Sequence, residues 1–168
     1  MIETRLDKNF KIKGFFDEET STISYVVYDM TSKKCAVIDS VLDFDFSSGT
    51  IDYHNAEKII SFIEKMKLDL EWLIETHVHA DHLSASPYIQ KKLGGKIGIS
   101  EKISDIQNIF GKTFNAGTEF QRDGSQFDRL FKDNDEYKIG SIKCKVINTP
   151  GHTPACTAHV IENSIFVG

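Results

Sequence analysis

Four potential metal ligands stand within six residues at His77-x-His79-x-Asp81-His82, and this spacing constrains the chain more than any other feature. The stretch follows directly on residues 70–75, which read as a buried strand around Trp72 and Ile74. A strand end delivers side chains to the edge of a sheet, where a loop can fold them around an ion. In an extended segment His77 and His79 share one face, and a turn at the adjacent pair Asp81 and His82 can split them between two metal positions. Imidazole nitrogens with a carboxylate suit Zn, Fe or Mn better than Ca or Mg. A second strand-to-loop junction carries His152, shaped by Pro150, Gly151 and Pro154. A lone histidine is ordinarily a core or surface residue. Four of the six histidines in two such junctions point instead to a metal centre.

The surrounding pattern is mixed α/β. Strands are expected at 23–29, 35–38, 70–75, 96–100 and 142–147, with a turn at 30–34 and a last hairpin pairing 157–161 with 165–167. Ala56, Ile59, Ile60 and Ile63 fall at helical spacing, with Asp52 or Asn55 as the expected cap. Residues 83–93 read as a second helix stopped by Gly94-Gly95, and 43–49 and 111–124 as loops. Several strand pairs are local hairpins, which favours a layered arrangement over a purely parallel doubly wound sheet. Residues 1–168 form a single domain in this reading.

Composition excludes several classes. The 168 residues carry 20 basic and 25 acidic side chains, a net charge of −5, which disfavours nonspecific binding to nucleic acid or an anionic membrane. The apolar runs are short and the first residues lack a signal-type apolar core, so neither membrane nor secretion is expected. Cys35, Cys144 and Cys156 are odd in number and widely spaced, as in a reducing, cytoplasmic setting. All three read as small buried residues. His54 and His159 read as a residue at a helix start and a strand residue, without ligand roles. Phe110, Phe114, Phe120, Phe127 and Phe131 are expected to pack the segment between the two histidine motifs onto the domain.

With T-H-x-H-x-D-H at 76–82, T-P-G-H-T at 149–153 and a strand closing on Val37-Ile38-Asp39, the sequence resembles the metallo-β-lactamase superfamily over nearly its whole length. The resemblance implies an αββα sandwich with metal at one edge. It is closest to persulfide dioxygenases and related bacterial β-lactamase-like hydrolases, through 38–45, 75–85 and 152–156. Glyoxalase II proteins carry glycines after the Asp-His pair, where Leu83-Ser84-Ala85 stands here.

The resemblance implies two ligand sets. In a persulfide dioxygenase one Fe(II) is held by the positions of His77 and His152 and a later Asp, with His79, Asp81, His82 and Asp39 orienting ligands and water around it. The substrate is then a small thiol-derived persulfide, glutathione persulfide, oxidised to sulfite. In a zinc hydrolase His77, His79 and His152 hold one ion and Asp81 and His82 the other, with Asp81 as the catalytic carboxylate beside a bridging hydroxide. A homodimer is compatible with either. In the superfamily the strand matching 165–167 ends in a metal-binding Asp, followed by further elements. The sequence stops one residue short of that place, so the C-terminal part of the sandwich is expected to be missing, and a non-catalytic remnant is a third reading.

Overall fold

Val26 and Val27 are neighbours and both are wholly buried, yet they belong to different cores. The computed structural model describes residues 9–168, so the signal-type reading of the first residues lies outside the described residues. The strands are β1 (Phe10–Asp17), β2 (Thr22–Asp29), β3 (Lys34–Ile38), β4 (Val41–Asp45), β5 (Thr50–Asp52), β6 (Asp69–Ile74), β7 (Leu83–Ser84), β8 (Lys96–Ser100), β9 (Arg129–Phe131), β10 (Glu136–Ile139), β11 (Ile142–Asn148), β12 (Thr157–Ile161) and β13 (Ser164–Phe166). The helices are α1 (His54–Lys65), α2 (Ser86–Leu93) and α3 (Ile103–Thr113).

Alternation along the strands builds the layers. The first sheet runs β1-β2-β3-β6-β8-β9. Its Val26, Cys35, Val37 and Leu73 meet Ala56, Ile59, Ile60 and Ile63 of α1. On the opposite face Val27, Ala36, Ile38 and Ile74 meet Ile139, Ile142, Val146 and Ile161 of the second sheet, β10-β11-β12-β13. Each such side chain contributes about 1.5–3 kcal/mol relative to exposure. Helix α3 packs against Ile99, on the same face of β8 as Ile97. The order is therefore helix, sheet, sheet, the first three layers of the expected sandwich. The far face of the second sheet exposes Lys143, Lys145, Ile147 and Ile165.

Chain direction positions the site. Strands β3 and β6 are parallel neighbours with Ile38 opposite Ile74, so Asp39 and Glu75 leave the sheet side by side at its carboxyl edge. That edge is where open α/β sheets place their ligands. Sheet two meets it through Thr157, whose backbone N–H donates to the Thr76 carbonyl at 2.9 Å.

Three local expectations are corrected. Residues 43–45 continue β4 rather than a loop, because Asp43–Asp45 pair with Thr50–Asp52. Neither Asp52 nor Asn55 caps α1 through its side chain. Asp43 does so from β4, its Oδ2 accepting from the Asn55 backbone N–H at 2.9 Å. Residues Leu83 and Ser84 are a short strand paired with β4, and the helix begins only at Ser86.

Opposite the site, the sheets are pinned by Asp29. Its buried carboxylate accepts from Thr31 N–H, Ser32 Oγ, and both Ser141 N–H and Oγ at 2.6–3.1 Å. Burial alone would raise its pKa, but these donors outweigh it and hold the carboxyl far below the usual range. A depressed folded-state value gives stability that is present above about pH 3.9 and is lost as pH falls through the folded value. Asp29→Asn turns an amide donor toward donors, so a loss of about 2 kcal/mol is expected at pH 7. Urea unfolding at pH 7 and again at pH 3 checks this, the difference shrinking at the lower pH.

Candidate metal centre

Past the end of β6 the chain leaves the sheet, and residues 77–82 are neither strand nor helix. The rings nevertheless gather. His77 and His79 lie 4.2 Å apart between centroids, His79 and His82 stack at 4.2 Å, and His152 stands edge-on to His77 at 5.0 Å. Donor atoms of His79, Asp81 and His82 fall within 4.8 Å of one another. His77 and His82 are buried, whereas Asp81 and His152 are exposed toward solvent. An open cavity of about 550 Å³ is lined by Asp39, His77, His79, Asp81 and His152. The His152 loop is closed by Thr149 N–H donating to the Cys156 carbonyl, and by Thr153 N–H donating to Cys156 Sγ at 3.2 Å.

Hydrogen-bond directions fix which nitrogens are free. The Thr76 hydroxyl donates to Asp39 Oδ2 at 2.8 Å, so toward His77 Nδ1, 3.0 Å away, it can only accept. His77 therefore carries its proton on Nδ1 and presents an unprotonated Nε2. His82 Nδ1 donates to the Leu83 carbonyl at 2.9 Å, which leaves Nε2 buried and without a partner. His79 Nε2 donates to Asp39 Oδ1 at 3.0 Å, and Glu75 Oε2 lies 3.3 Å from the same nitrogen at ion-pair distance without hydrogen-bond alignment. Each of these three rings thus has one nitrogen tied to a protein acceptor, the arrangement that orients metal-binding imidazoles.

Charge reinforces the arrangement. Burial alone would lower the basicity of His79, but the hydrogen bonds and charges of Asp39 and Glu75 reverse this and push it up to about 10. His77 moves the other way, chiefly through burial and then the neighbouring His79 charge. Among the described residues no Lys or Arg lines the three cavities that meet at the histidines, while Asp17, Asp39, Asp43, Glu75 and Asp81 all do. The site is built to attract a cation. The orphaned Nε2 of His82 and the mixed nitrogen and carboxylate donors fit a transition-metal ion, for which His77, His79, Asp81, His82 and His152 are the candidate ligands.

Asp39 stands at φ +49°, a left-handed conformation that Asp tolerates better than most residues, and its carboxylate reaches both Thr76 and His79. Sequence reasoning missed Glu75. Its Oε1 accepts from Ser84 Oγ at 2.6 Å and Ser86 Oγ at 2.5 Å, which aims Oε2 at His79. The signal was present, since a glutamate closing a buried strand needs partners. Phe131 and Phe127 pack as expected, but Phe110, Phe114 and Phe120 are 47%, 73% and 38% exposed and do not. Cys35, Cys144 and Cys156 are all buried, and burial pushes the Cys35 and Cys144 thiols up to about 12, so these two are poor nucleophiles. Among the described residues no helix is long and apolar enough to cross a membrane.

Known proteins share this plan. Over 153 residues the chain is 48% identical to a probable metallo-hydrolase of Burkholderia pseudomallei, covering 91% of this chain and 52% of that protein. The human mitochondrial persulfide dioxygenase is 24% identical over 152 residues, covering 90% of this chain and 48% of that protein. The chain thus spans about half the length of these curated relatives. A crystal structure of ETHE1 from Myxococcus xanthus superposes with a TM-score of 0.70 at 22% identity, covering 94% of this chain and 56% of that one, and shows the same fold. Residues 18–168 match the family model of the metallo-β-lactamase superfamily, to which the chain belongs.

Proposed function

We propose that the chain carries the metal centre of an iron-dependent dioxygenase that oxidises a small persulfide, glutathione persulfide, with O₂ and water to the thiol and sulfite. The observation that carries this reading is the clamp on His79. With Nε2 held between Asp39 and Glu75, His79 serves as a fixed neighbour of the metal. His77 and His152 remain as the facing pair for one ion, with a carboxylate as third ligand. Such a two-histidine, one-carboxylate face leaves positions open for substrate and O₂. Bound Fe(II) would supply O₂ activation. The protein's own part is to aim the histidines, through Thr76 for His77 and Asp39 for His79, and to keep His82 dry.

A dinuclear zinc hydrolase of thioesters is the second reading, favoured by the close grouping of His79, Asp81 and His82. Metal content of anaerobically purified protein separates the two. The dioxygenase predicts near one Fe per chain and O₂ uptake that depends on glutathione persulfide. In His79→Ala it further predicts that appreciable iron stays while activity falls. Two zinc ions per chain, thioester hydrolysis without oxygen uptake, or complete metal loss in His79→Ala would establish the hydrolase instead. Metal well below one ion per chain would support a non-catalytic remnant.

A further inference from the structure

His159 has no part in the site described above, yet it is wholly buried and hydrogen-bonded at both ring nitrogens. It lies on β12, between Tyr137 of β10 and Thr157 of its own strand. Tyr137 Oη is 3.0 Å from Nδ1, and Thr157 Oγ1 is 3.3 Å from Nε2. A buried imidazole among Phe131, Tyr137 and Ile161 is an expensive way to fill space, because a leucine would fill it without polar atoms to satisfy.

The proton directions make its role readable. The Thr157 hydroxyl donates to the Thr76 carbonyl at 3.0 Å, so it can only accept from His159. His159 Nε2 therefore carries the ring proton. Burial keeps the ring neutral, and Nδ1 then accepts from the Tyr137 hydroxyl. The chain runs in one direction, from Tyr137 to His159 to Thr157 and onto Thr76. Thr76 is also gripped from the other side by Asp39, which accepts from its N–H at 2.8 Å and from its hydroxyl at 2.8 Å. Thr76 is the residue whose hydroxyl accepts from His77 Nδ1.

We infer that Tyr137 and His159 are positioning residues for the metal centre, which set the place and proton state of His77 from the second sheet through Thr157 and Thr76. The relay rests on the reading of His77 as a metal ligand. Its mechanism is separable from that reading, because the proton on His77 Nδ1 exists without any metal. With the donor to Thr157 removed, or the direction of that bond reversed, the Thr157 hydroxyl is free to turn away from Thr76. In Tyr137→Phe nothing donates to His159 Nδ1, so the ring can shift its proton there and accept from Thr157 instead. Thr76 then keeps one of its two Thr157 bonds, the carbonyl drifts, and His77 loses its fixed aim.

The test uses the full chain. Nitrogen-15 imidazole spectra of the metal-free protein report which nitrogen of His77 is protonated, and titration with Co(II) reports affinity and the geometry of the bound ion. Tyr137→Phe and His159→Leu should each leave His77 a mixture of proton states and weaken Co(II) binding about tenfold, the lower end of what outer partners of metal ligands contribute. His159→Gln, whose amide can donate to Thr157 and accept from Tyr137, should recover binding to within about twofold of the parent. A purely structural role predicts lowered thermal midpoints with unchanged His77 spectra and Co(II) affinity. That result in Tyr137→Phe, which removes a single oxygen, overturns the inference even if His159→Leu fails to fold. Should the parent chain show the Nδ1 proton but bind no Co(II), the metal reading of His77 fails and the relay loses its function with it.

Discussion

Replacing His77 with alanine is expected to lower metal affinity by at least about a hundredfold, beyond the tenfold to hundredfold loss seen when only an outer partner of a ligand is removed. The free nitrogen of His77 is set by a hydrogen-bond path that ends on a buried carboxylate, from Nδ1 to Thr76 to Asp39. Its backbone leaves the rigid end of β6, so no neighbouring side chain can move into its place without disturbing Ile74 and Thr76, both wholly buried. His152→Ala should lose affinity too, but less, because His152 is exposed on a loop and a water molecule can take its position. Equilibrium dialysis against Zn(II) or anaerobic Fe(II) measures both. Unchanged metal content in both variants would remove the basis for a metal centre at this edge.

The order of effects follows from what the sequence makes visible. The motif at 77–82, its strand and the second junction at His152 were legible because ligand type and spacing are local properties. The strands at 23–29, 35–38 and 142–147 were legible for the same reason, since runs of β-branched and aromatic residues are local too, whereas the sandwich that stacks them was expected from the family resemblance. Contacts between distant segments were not. Asp43 capping α1 from β4 and Ser84 and Ser86 aiming Glu75 depend on pairings that no single window contains. Pairing of Leu83 and Ser84 with β4 overrode a helix-compatible stretch, as tertiary context does. Helix α3 escaped notice although Ile103 and Ile106 bury one side of it, because it has no side-chain cap and ends in Gly111-Lys112-Thr113. His159 read as an ordinary strand residue, and only its two partners distinguish it.

Asp39→Asn is expected to leave the fold close to intact and yet cost the centre about tenfold to hundredfold in metal affinity. The reason lies in the direction of protons rather than in shape. The carboxylate accepts three hydrogen bonds, from Thr76 N–H, Thr76 Oγ1 and His79 Nε2. An asparagine of the same outline keeps one acceptor, which can serve Thr76 N–H and His79 together on the Oδ1 side. Its amide then faces Thr76 Oγ1 and must donate. The Thr76 hydroxyl, now an acceptor toward residue 39, turns its own proton toward His77 Nδ1. His77 is driven to carry its proton on Nε2, the nitrogen that would otherwise face a metal, and binding has to reverse that shift first. Glu75 remains beside His79, so that ring keeps one carboxylate neighbour and its place. The nitrogen-15 spectrum of metal-free Asp39→Asn should therefore show the His77 proton moved from Nδ1 to Nε2, with Zn(II) affinity reduced in parallel. Asp39→Ala supplies the contrast: it offers neither donor nor acceptor, leaves the Thr76 hydroxyl free to point either way and His77 a mixture of the two proton positions, and should weaken binding through disorder of Thr76 instead. An Asp39→Asn protein whose His77 spectrum matches the parent would show that Thr76 does not transmit the charge of residue 39 to the metal edge.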